Sequence, residues 1–574
     1  MTRYQTMTTL RSRLLSAALR PHALALACAT LYGVSSTVLA APPPPTTPGA
    51  GQFLQEAQPP ANATPNNNTG LTVQTPSGAA ITDTTPIPVS RFEITGNTRF
   101  DDATLHALVA DGEGRTLTLG EIYGLAQRIT DHYHQRGYLL AQAIIPAQSV
   151  DQGTVRIEII EARFGRVRVN NRSRVDTGLL LDNLSSLHTA AVVQQDEVDH
   201  ALLLLSDIPG AQVHATLAPG QEPGTSDLTV QVDRTPMLTG QAGVDNEGDR
   251  YTGRARGTVS LALNNLLHWG DILSLDAMTT GEGMTWAKIG YSLSYYAGIS
   301  YSALGYHLGG NLADLGGHGT ADVTSVWGGY PFIRSKTLNL SAKLEYDHRR
   351  LDDEIDAADI SDRRHLDVFT LSLSGDHSDD WLGGGMSRAS LSATQGNLGY
   401  DNDAAQLADG ATSHKQGNYT LWSGGINRLQ RITGDTQLYL SLSHQHSSKN
   451  VDSSEQWLLG GPGTLRGYPV STLSGSSGSL ETLELRHEFP VPVLRAIQAS
   501  AFFDAGQVTI NADPWAPGEN HANLMSAGIG LDWSAIDQWD VKVQVADPVG
   551  RTPELAGPRP STQVWAQLSK GFGI

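Results

Sequence analysis

Apolar and polar residues alternate with a period of two along the C-terminal part of the chain, from Pro236 to Ile574. An alternating segment forms a β-strand with one apolar and one polar face. Sixteen such segments can be placed, and fourteen or eighteen would also fit the pattern. They start near Leu238, Thr252, Gly270, Thr285, Ser300, Thr320, Thr337, Arg364, Gly385, Lys415, Thr436, Ser479, Ile497, Ala522, Gln538 and Thr562.

This repeated two-faced pattern favours a transmembrane barrel over a soluble β-protein. A closed barrel turns its apolar face to lipid and its polar face to a hydrated interior. It also leaves no backbone hydrogen-bonding group unpaired within the bilayer. We therefore predict an all-β transmembrane barrel of about 16 antiparallel strands over residues 236–574.

The preceding region, residues 86–235, mixes strand and helix patterns. Thr118-Leu-Gly-Glu121 is a capping box, and apolar residues recur behind it at helical spacing until Gly137. The order β-α-α-β-β occurs in residues 86–162 and again in residues 163–235. Two tandem α+β modules are therefore predicted before the barrel.

Residues 41–85 are rich in Pro, Thr, Asn, Gly and Ala. Such a segment buries too little apolar surface to offset the entropy lost on ordering. We interpret it as a tail and linker. Residues 52–58 could form a helical turn or two, so the alternative is a short plug helix docked in the barrel.

Residues 1–40 have the features of a secretory signal peptide. Four arginines without an acidic residue precede a short apolar core at residues 23–34, and small residues end at Ala40. An amphipathic transit peptide is the alternative interpretation. The single cysteine, Cys28, lies in the apolar core, so a disulfide framework or metal-thiolate site is excluded.

Composition excludes several further classes. The chain has 574 residues, with 58 acidic and 39 basic side chains and a net charge of −19, whereas nucleic-acid binding requires clustered Lys and Arg. After residue 40, no apolar run approaches the roughly 18–20 residues of a spanning helix. Gly461-Pro-Gly463 matches only part of the glycine pattern GxGxxG of a phosphate-binding loop, because Arg466 stands at the third glycine position. We predict no cofactor, no nucleotide and no nucleic-acid partner.

The most informative residues lie late in the chain. A connection at residues 448–478 is too long for a tight turn, and it holds Arg466 as a lone basic residue in a glycine-rich stretch. On a later strand, alternation turns Phe502, Asp504 and Gly506 toward the barrel interior. A guanidinium can bind a carboxylate through two hydrogen bonds. These residues suggest an Arg466–Asp504 ion pair inside the barrel, although composition alone favours the alternative of an exposed arginine and a solvated aspartate.

The intervening strand also carries charge on its inner face. Glu484, Arg486 and Glu488 alternate there with Leu483, Leu485 and His487. These three charged residues are candidate inner-wall partners of the loop.

Two of these motifs resemble those of the TpsB transporters, the haemolysin secretion/activation family. Leu465-Arg-Gly-Tyr468 is similar to the family motif V-R-G-Y/F, and Phe502-x-Asp504-x-Gly506 matches F-x-D-x-G. The two modules resemble the family's paired POTRA domains, and the likeness covers nearly the whole mature chain. The site residues that it implies are Gly463, Leu465, Arg466, Gly467 and Tyr468 in the loop and Phe502, Asp504 and Gly506 on the wall. With both motifs present, we predict the Arg466–Asp504 ion pair.

The resemblance implies an outer-membrane pore of two-partner secretion with POTRA domains in the periplasm. The expected partner is a large β-helical exoprotein (an adhesin, haemolysin or contact-dependent toxin) that binds unfolded through its N-terminal secretion domain. POTRA domains would capture it by strand addition, in which an extended chain pairs with a sheet edge. The other expected partner is outer-membrane lipid.

Three other functions compete with this one. A barrel-assembly factor of the same superfamily usually carries more POTRA modules than the two found here. A passive porin would need no modules. An outer-membrane enzyme would need a catalytic motif, but HExxH and GxSxG are absent from the sequence. We therefore predict no enzymatic activity and no catalytic or metal-binding residue.

Overall fold

The structure, a computed structural model, describes residues 47–58, 67–74, 85–281, 283–294, 296–491 and 495–574. The predicted signal peptide, with Cys28, lies outside the described residues. Among the described residues, no helix is both long and apolar enough to cross a bilayer.

The first element is an eight-residue helix, α1 (Ala50–Ala57), which the sequence analysis treated as part of a tail. That favoured interpretation was wrong for these residues, because Ala50, Phe53 and Leu54 are buried. The helix packs against an apolar patch on the inner wall of the barrel. A strand β1 (Leu71–Val73) follows it in the linker.

The first module contains β2 (Pro86–Val89), β3 (Arg91–Thr95), α2 (Asp102–His106), β4 (Arg115–Thr118), α3 (Leu119–His134), β5 (Gln142–Ile144) and β6 (Thr154–Ile160). The predicted capping box forms, since the Thr118 side chain and the Glu121 carboxylate each bond the other's backbone N–H. The main sheet has the order β3-β6-β5, and β2 pairs with β4.

Glu161 ties the start of this module together. Its carboxylate accepts hydrogen bonds from the Thr98 N–H (2.7 Å), the Arg99 N–H (2.9 Å) and the Tyr133 hydroxyl (2.8 Å). Burial alone would raise the pKa of Glu161, but these bonds outweigh it and hold the pKa below its usual value.

The second module contains β7 (Arg163–Asn171), α4 (Thr177–Asn183), α5 (Gln195–Ser206), β8 (Ala211–Pro219) and β9 (Thr225–Arg234). Its order β-α-α-β-β is that of the first module without the paired strands β2 and β4. The sheet has the order β1-β8-β9-β7, so the linker strand β1 is added to one edge. The pattern of residues 71–73 did not predict this strand.

The remaining strands confirm the predicted barrel of sixteen antiparallel strands, which closes by pairing of its first and last strands. In chain order, these and the two short loop strands β21 and β22 are β10 (Leu238–Asp245), β11 (Arg256–Asn264), β12 (Asp271–Thr279), β13 (Met284–Leu293), β14 (Ala297–His307), β15 (Gly317–Arg334), β16 (Leu338–Ile355), β17 (Ile360–Asp379), β18 (Gly385–Tyr400), β19 (Gly417–Arg431), β20 (Thr436–Ser447), β21 (Trp457–Leu459), β22 (Leu473–Gly475), β23 (Ser477–Val491), β24 (Arg495–Thr509), β25 (His521–Ser534), β26 (Trp539–Val549) and β27 (Gln563–Gly573). A helix, α6 (Asp403–Ala411), lies between β18 and β19.

Side-chain exposure follows the predicted alternation. Leu338 and Leu344 on β16 are 41% and 55% exposed on the outer face, whereas Asn339 between them is 8% exposed. The interior departs from the prediction in one sector, where Trp286, Leu304 and Tyr306 point inward and form the apolar patch beneath α1.

Two ion pairs attach the second module to the end of the barrel where β15 turns into β16. Arg334, at the end of β15, donates two hydrogen bonds to Asp207, from Nε (2.7 Å) and Nη2 (2.9 Å). Lys336 pairs with Asp199 at 2.8 Å. These contacts hold α5 and the turn that follows it against this end of the barrel.

Candidate functional site

Strand register prepares an acidic site on the inner wall. Thr482 on β23 lies opposite Asp504 on β24, which in turn lies opposite Ser526 on β25. The three side chains therefore share one face, and both hydroxyls donate to the Asp504 carboxylate at 3.1 Å. Asp504 is fully buried, so its charge requires a cationic partner.

The loop that joins β20 to β23 supplies that partner. Its strands β21 and β22 pair as a hairpin, and the segment between them carries Arg466 into the barrel. Arg466 donates from Nε to Asp504 Oδ2 (2.9 Å) and from Nη2 to Asp504 Oδ1 (2.7 Å). The guanidinium also lies 3.3 Å from the centre of the Phe502 ring. The structure thus brings together the loop and wall motifs in a two-bond contact with an added cation–π interaction.

The inner-wall charges divide into two groups. Glu484 is buried and accepts a bond from Arg466 Nη1 at 2.7 Å and another from Arg486 Nε at 2.8 Å. Glu488 is exposed further along β23 and takes no part in the bonds just described. The cluster therefore consists of Arg466 and Arg486 against Glu484 and Asp504, rather than all three predicted wall charges.

Two motif glycines allow the loop and wall to approach closely. A Cβ atom on Gly467 would lie 2.7 Å from the Asp547 carbonyl carbon and from the Ser526 Cβ. A Cβ on Gly506 would lie 2.9 Å from the Leu465 side chain. Gly463 differs, because a Cβ there would meet nothing within 4 Å. Packing against backbone therefore requires glycine at position 467, whereas at position 506 only the ends of leucine side chains would have to shift, and position 463 is open.

Apolar packing and one further hydrogen bond hold the rest of the motif. Leu465 and Tyr468 are fully buried in a cluster with Leu459 and wall residues of β24 and β25. The Trp565 indole on β27 donates to the Arg466 carbonyl at 2.8 Å. The loop tip is thus fixed to β27 as well as to β23, β24 and β25.

A second charged network holds the base of the same loop, which contains Asp452 and Glu455. This network was not predicted from the sequence. Asp452 accepts a bond from Arg364 Nε on β17 at 2.6 Å, and Glu455 pairs with Arg349 on β16 at 2.5 Å. Arg364 also contacts Asp353 at 2.8 Å. The alternation along β16 and β17 places these charged residues on the inner face, and that pattern could have indicated the network.

The helix α1 touches this base. Its first backbone N–H, at Ala50, donates to Asp353 at 2.7 Å, and the Gln55 amide donates to the Ser453 carbonyl at 2.7 Å. Ser471, on the return arm of the loop, donates to Glu56 at 2.5 Å. Phe53 packs on Tyr306 with ring centres 4.8 Å apart. Both α1 and the loop therefore occupy the barrel interior and contact each other.

The contacts of this site fix the position of the loop on the barrel wall. Bidentate guanidinium–carboxylate contacts fix geometry, and buried ion pairs contribute more to register than to stability. One group with metal-ligand geometry occurs among the described residues, formed by His318, Glu354 and Asp356 far from the loop motif in sequence. It lies at the partly exposed barrel end and has no further indication of a ligand.

Comparison with known proteins identifies the family. Residues 224–533 match the family described as "Haemolysin secretion/activation protein ShlB/FhaC/HecB", and residues 87–162 match "POTRA domain, ShlB-type". The heme/hemopexin transporter protein HuxB of Haemophilus influenzae is 27% identical over 96% of this chain and 100% of its own length. The outer membrane transporter CdiB of Dickeya dadantii is 25% identical over 71% of this chain and 75% of its own.

A solved structure shows the same fold. CdiB from Escherichia coli superposes with a TM-score of 0.67 at 21% identity, over 87% of this chain and 93% of that one. The matched families and relatives are transporters, which sets the barrel-assembly alternative aside. The chain belongs to the ShlB/FhaC/HecB family of haemolysin secretion/activation proteins, and it is an outer-membrane transporter of two-partner secretion whose POTRA region lies in the periplasm.

Proposed function

We propose that this transporter takes an unfolded exoprotein from the periplasm through its POTRA modules and passes it through the barrel to the cell surface. A barrel of 16 strands is wide enough for an aqueous channel. The sheet edges of the modules suit capture of an extended chain by backbone hydrogen bonds.

The observation that carries this proposal is the way the interior is filled. Both occupants, α1 and the loop at residues 448–476, are held by side-chain and single backbone contacts, and neither belongs to the continuous wall. They can move without breaking the strand pairing of the barrel. Passage of a chain requires α1 to leave, while the loop tip stays on the wall.

Arg466 has a defined part in this proposal. Its contacts with Asp504, Glu484 and Phe502 hold the loop tip at one register against β23 and β24. The loop then lines the path as a fixed guide. Leu465, Gly467, Tyr468 and Gly506 serve the same positioning by packing.

The cargo is expected to be a large β-helical exoprotein that binds through its N-terminal secretion domain. The names of the relatives cover heme/hemopexin, CdiB and haemolysin transport. An adhesin, a haemolysin and a contact-dependent toxin therefore all remain candidates, and the exoprotein encoded beside this chain is the one to test.

A disulfide between α1 and the wall tests the proposal directly. A Cβ on Gly49 would lie 3.2 Å from Asp353 Cγ, so the double variant Gly49→Cys/Asp353→Cys can form a disulfide. We expect the oxidised transporter to stop releasing the exoprotein into the medium and to resume on reduction. Each single variant is the control. Unchanged secretion by the oxidised form would contradict passage through the lumen.

A further inference from the structure

The linker strand β1 occupies the edge of the second module's sheet. It pairs in parallel with β8, with Leu71, Thr72 and Val73 opposite Ala215, Thr216 and Leu217. The Ala215 N–H donates to the Gly70 carbonyl at 3.1 Å, and the Gln74 N–H donates to the Leu217 carbonyl at 2.9 Å. The edge of β8 at residues 215–217 is therefore bonded to the chain's own linker.

Without β1, the strand β8 would be a long unpaired edge. The module's own strands have the order β8-β9-β7, and β8 is nine residues long. An edge strand presents a row of backbone donors and acceptors that another extended chain can pair with. The corresponding edge strand of the first module, β5, has three residues. The β8 edge is thus the longer of the two equivalent edges.

We propose that the β8 edge is the strand-addition site for the exported chain, that β1 covers it in the resting transporter, and that cargo binds by displacing β1. This inference rests on the proposed function above and specifies where recognition occurs. The partner is an extended, unfolded polypeptide recognised mainly through its backbone.

The pairing of β1 is short enough to be exchanged. It covers three residues of the nine in β8, and Thr72 is exposed while Leu71 and Val73 are only partly buried. A cargo strand that spans the whole of β8 would form more backbone hydrogen bonds than β1 does. Because β1 is tethered, its effective concentration is high, about millimolar. Only a longer pairing segment overcomes that advantage, which makes the exchange selective.

The chain enters this edge through a specific turn. Gly70 has φ +59°, and a Cβ on it would lie 2.6 Å from the Val213 carbonyl oxygen. A larger residue at this position would strain the turn and clash with β8. Just before it, Asn67 accepts a bond from Arg334 Nη1 at 2.7 Å. The linker therefore docks first at the barrel rim and then on β8.

Displacement of β1 would also affect α1, because both lie on the same linker. While β1 and Asn67 are docked, the tether that follows Gln58 is short, about 30 Å at full extension. When both contacts are released, the free tether runs from Gln58 to Thr85 and can reach about 90 Å at full extension. Cargo binding at β8 thus lengthens the free tether enough for α1 to leave the lumen.

A second disulfide tests this inference. Thr72, Thr216 and Thr229 lie side by side across β1, β8 and β9. In Thr72→Cys/Thr216→Cys, oxidation would lock β1 on the edge. In the matched control Thr216→Cys/Thr229→Cys, it would staple β8 to β9 and leave the edge open. We expect the lock to reduce exoprotein release at least tenfold, reversibly with reductant, and the control to secrete normally.

The outcomes separate this inference from the proposed function. If the locked transporter secretes as well as its reduced form, the inference is overturned and the proposed function stands. If the reduced and wild-type forms also fail to release the exoprotein, the proposed function itself is wrong.

The opposite variant is Gly70→Val, which should dislodge β1. Combined with Thr72→Cys/Thr216→Cys, it should lower the yield of the disulfide, and alone it should leave secretion at or above the wild-type level. A loss of secretion in Gly70→Val would show that β1 pairing is required rather than inhibitory, and this too would overturn the inference.

Discussion

The tip and the base of the long loop are both held by arginine–carboxylate contacts, but with opposite polarity. At the tip, Arg466 belongs to the loop and Asp504 to the wall. At the base, the carboxylate Asp452 belongs to the loop and Arg364 to the wall. The same type of bond is thus used twice, with the cation on different sides.

The two ends differ in what surrounds them. The tip is enclosed by wall residues and by glycines that permit close approach, whereas the base also touches α1 through Asp353 and the Ser453 carbonyl. We infer that the tip sets the register of the loop on the wall and that the base responds to the presence of α1. Breaking the tip should abolish transport, and breaking the base should loosen the plug.

The largest effect is expected from Arg466→Ala. Removing one partner of a buried ion pair costs about 3–5 kcal/mol, because the other charge stays buried. The docked loop should lose about a hundredfold or more in population, and exoprotein release should fall to background while the barrel still reaches the outer membrane. Arg486→Ala is the control, since Arg486 touches Glu484 but not Asp504. Normal release by Arg466→Ala would refute the role of the tip.

A packing test of the tip should have the next largest effect. Gly467→Ala places a methyl group 2.7 Å from the wall backbone, and overpacking of this kind costs about 1–3 kcal/mol. Secretion should drop severalfold or more. Gly463→Ala, in the same turn but with open space around it, should secrete normally. Equal effects at the two positions would mean that close approach is not what the motif requires.

The sequence predicted the tip and missed the base for a physical reason. Arg466 stands out in a glycine-rich stretch, and strand parity alone turns Asp504 inward. Arg364 and Asp452 are 88 residues apart and lie in no recognisable motif. Their meeting depends on how the loop folds back into the barrel, which periodicity does not describe.

The helix α1 was only the alternative interpretation of its segment, and the strand β1 was not predicted, for a related reason. An eight-residue helix is marginal in isolation, so its stability comes from the apolar patch that includes Trp286 and Tyr306. That patch could have been noticed as apolar side chains at inward positions. The sixteen strands were predictable because each one carries its own alternating pattern, independent of distant contacts.

A smaller effect is expected at the base. Asp452→Asn removes the charge that faces Arg364 and should weaken the support of α1. We expect more frequent opening in planar bilayers and secretion that is reduced but measurable. Asp362 contacts the same arginine at 3.5 Å and is more exposed, so Asp362→Asn should have a weaker effect on conductance. A complete loss of secretion in Asp452→Asn would mean that tip and base act as one unit.

The smallest effect should follow from Gln55→Ala, which removes one bond between α1 and the loop base while Arg466 and Asp504 stay paired. A net hydrogen bond contributes about 0.5–1.5 kcal/mol, so the open fraction in planar bilayers should rise about two- to tenfold. Gln52→Ala is the matched control, because Gln52 bonds only to Glu56 within the helix in the contacts described. If both variants open the pore equally, helix stability rather than the contact with the base holds α1, and the base then has no separate function.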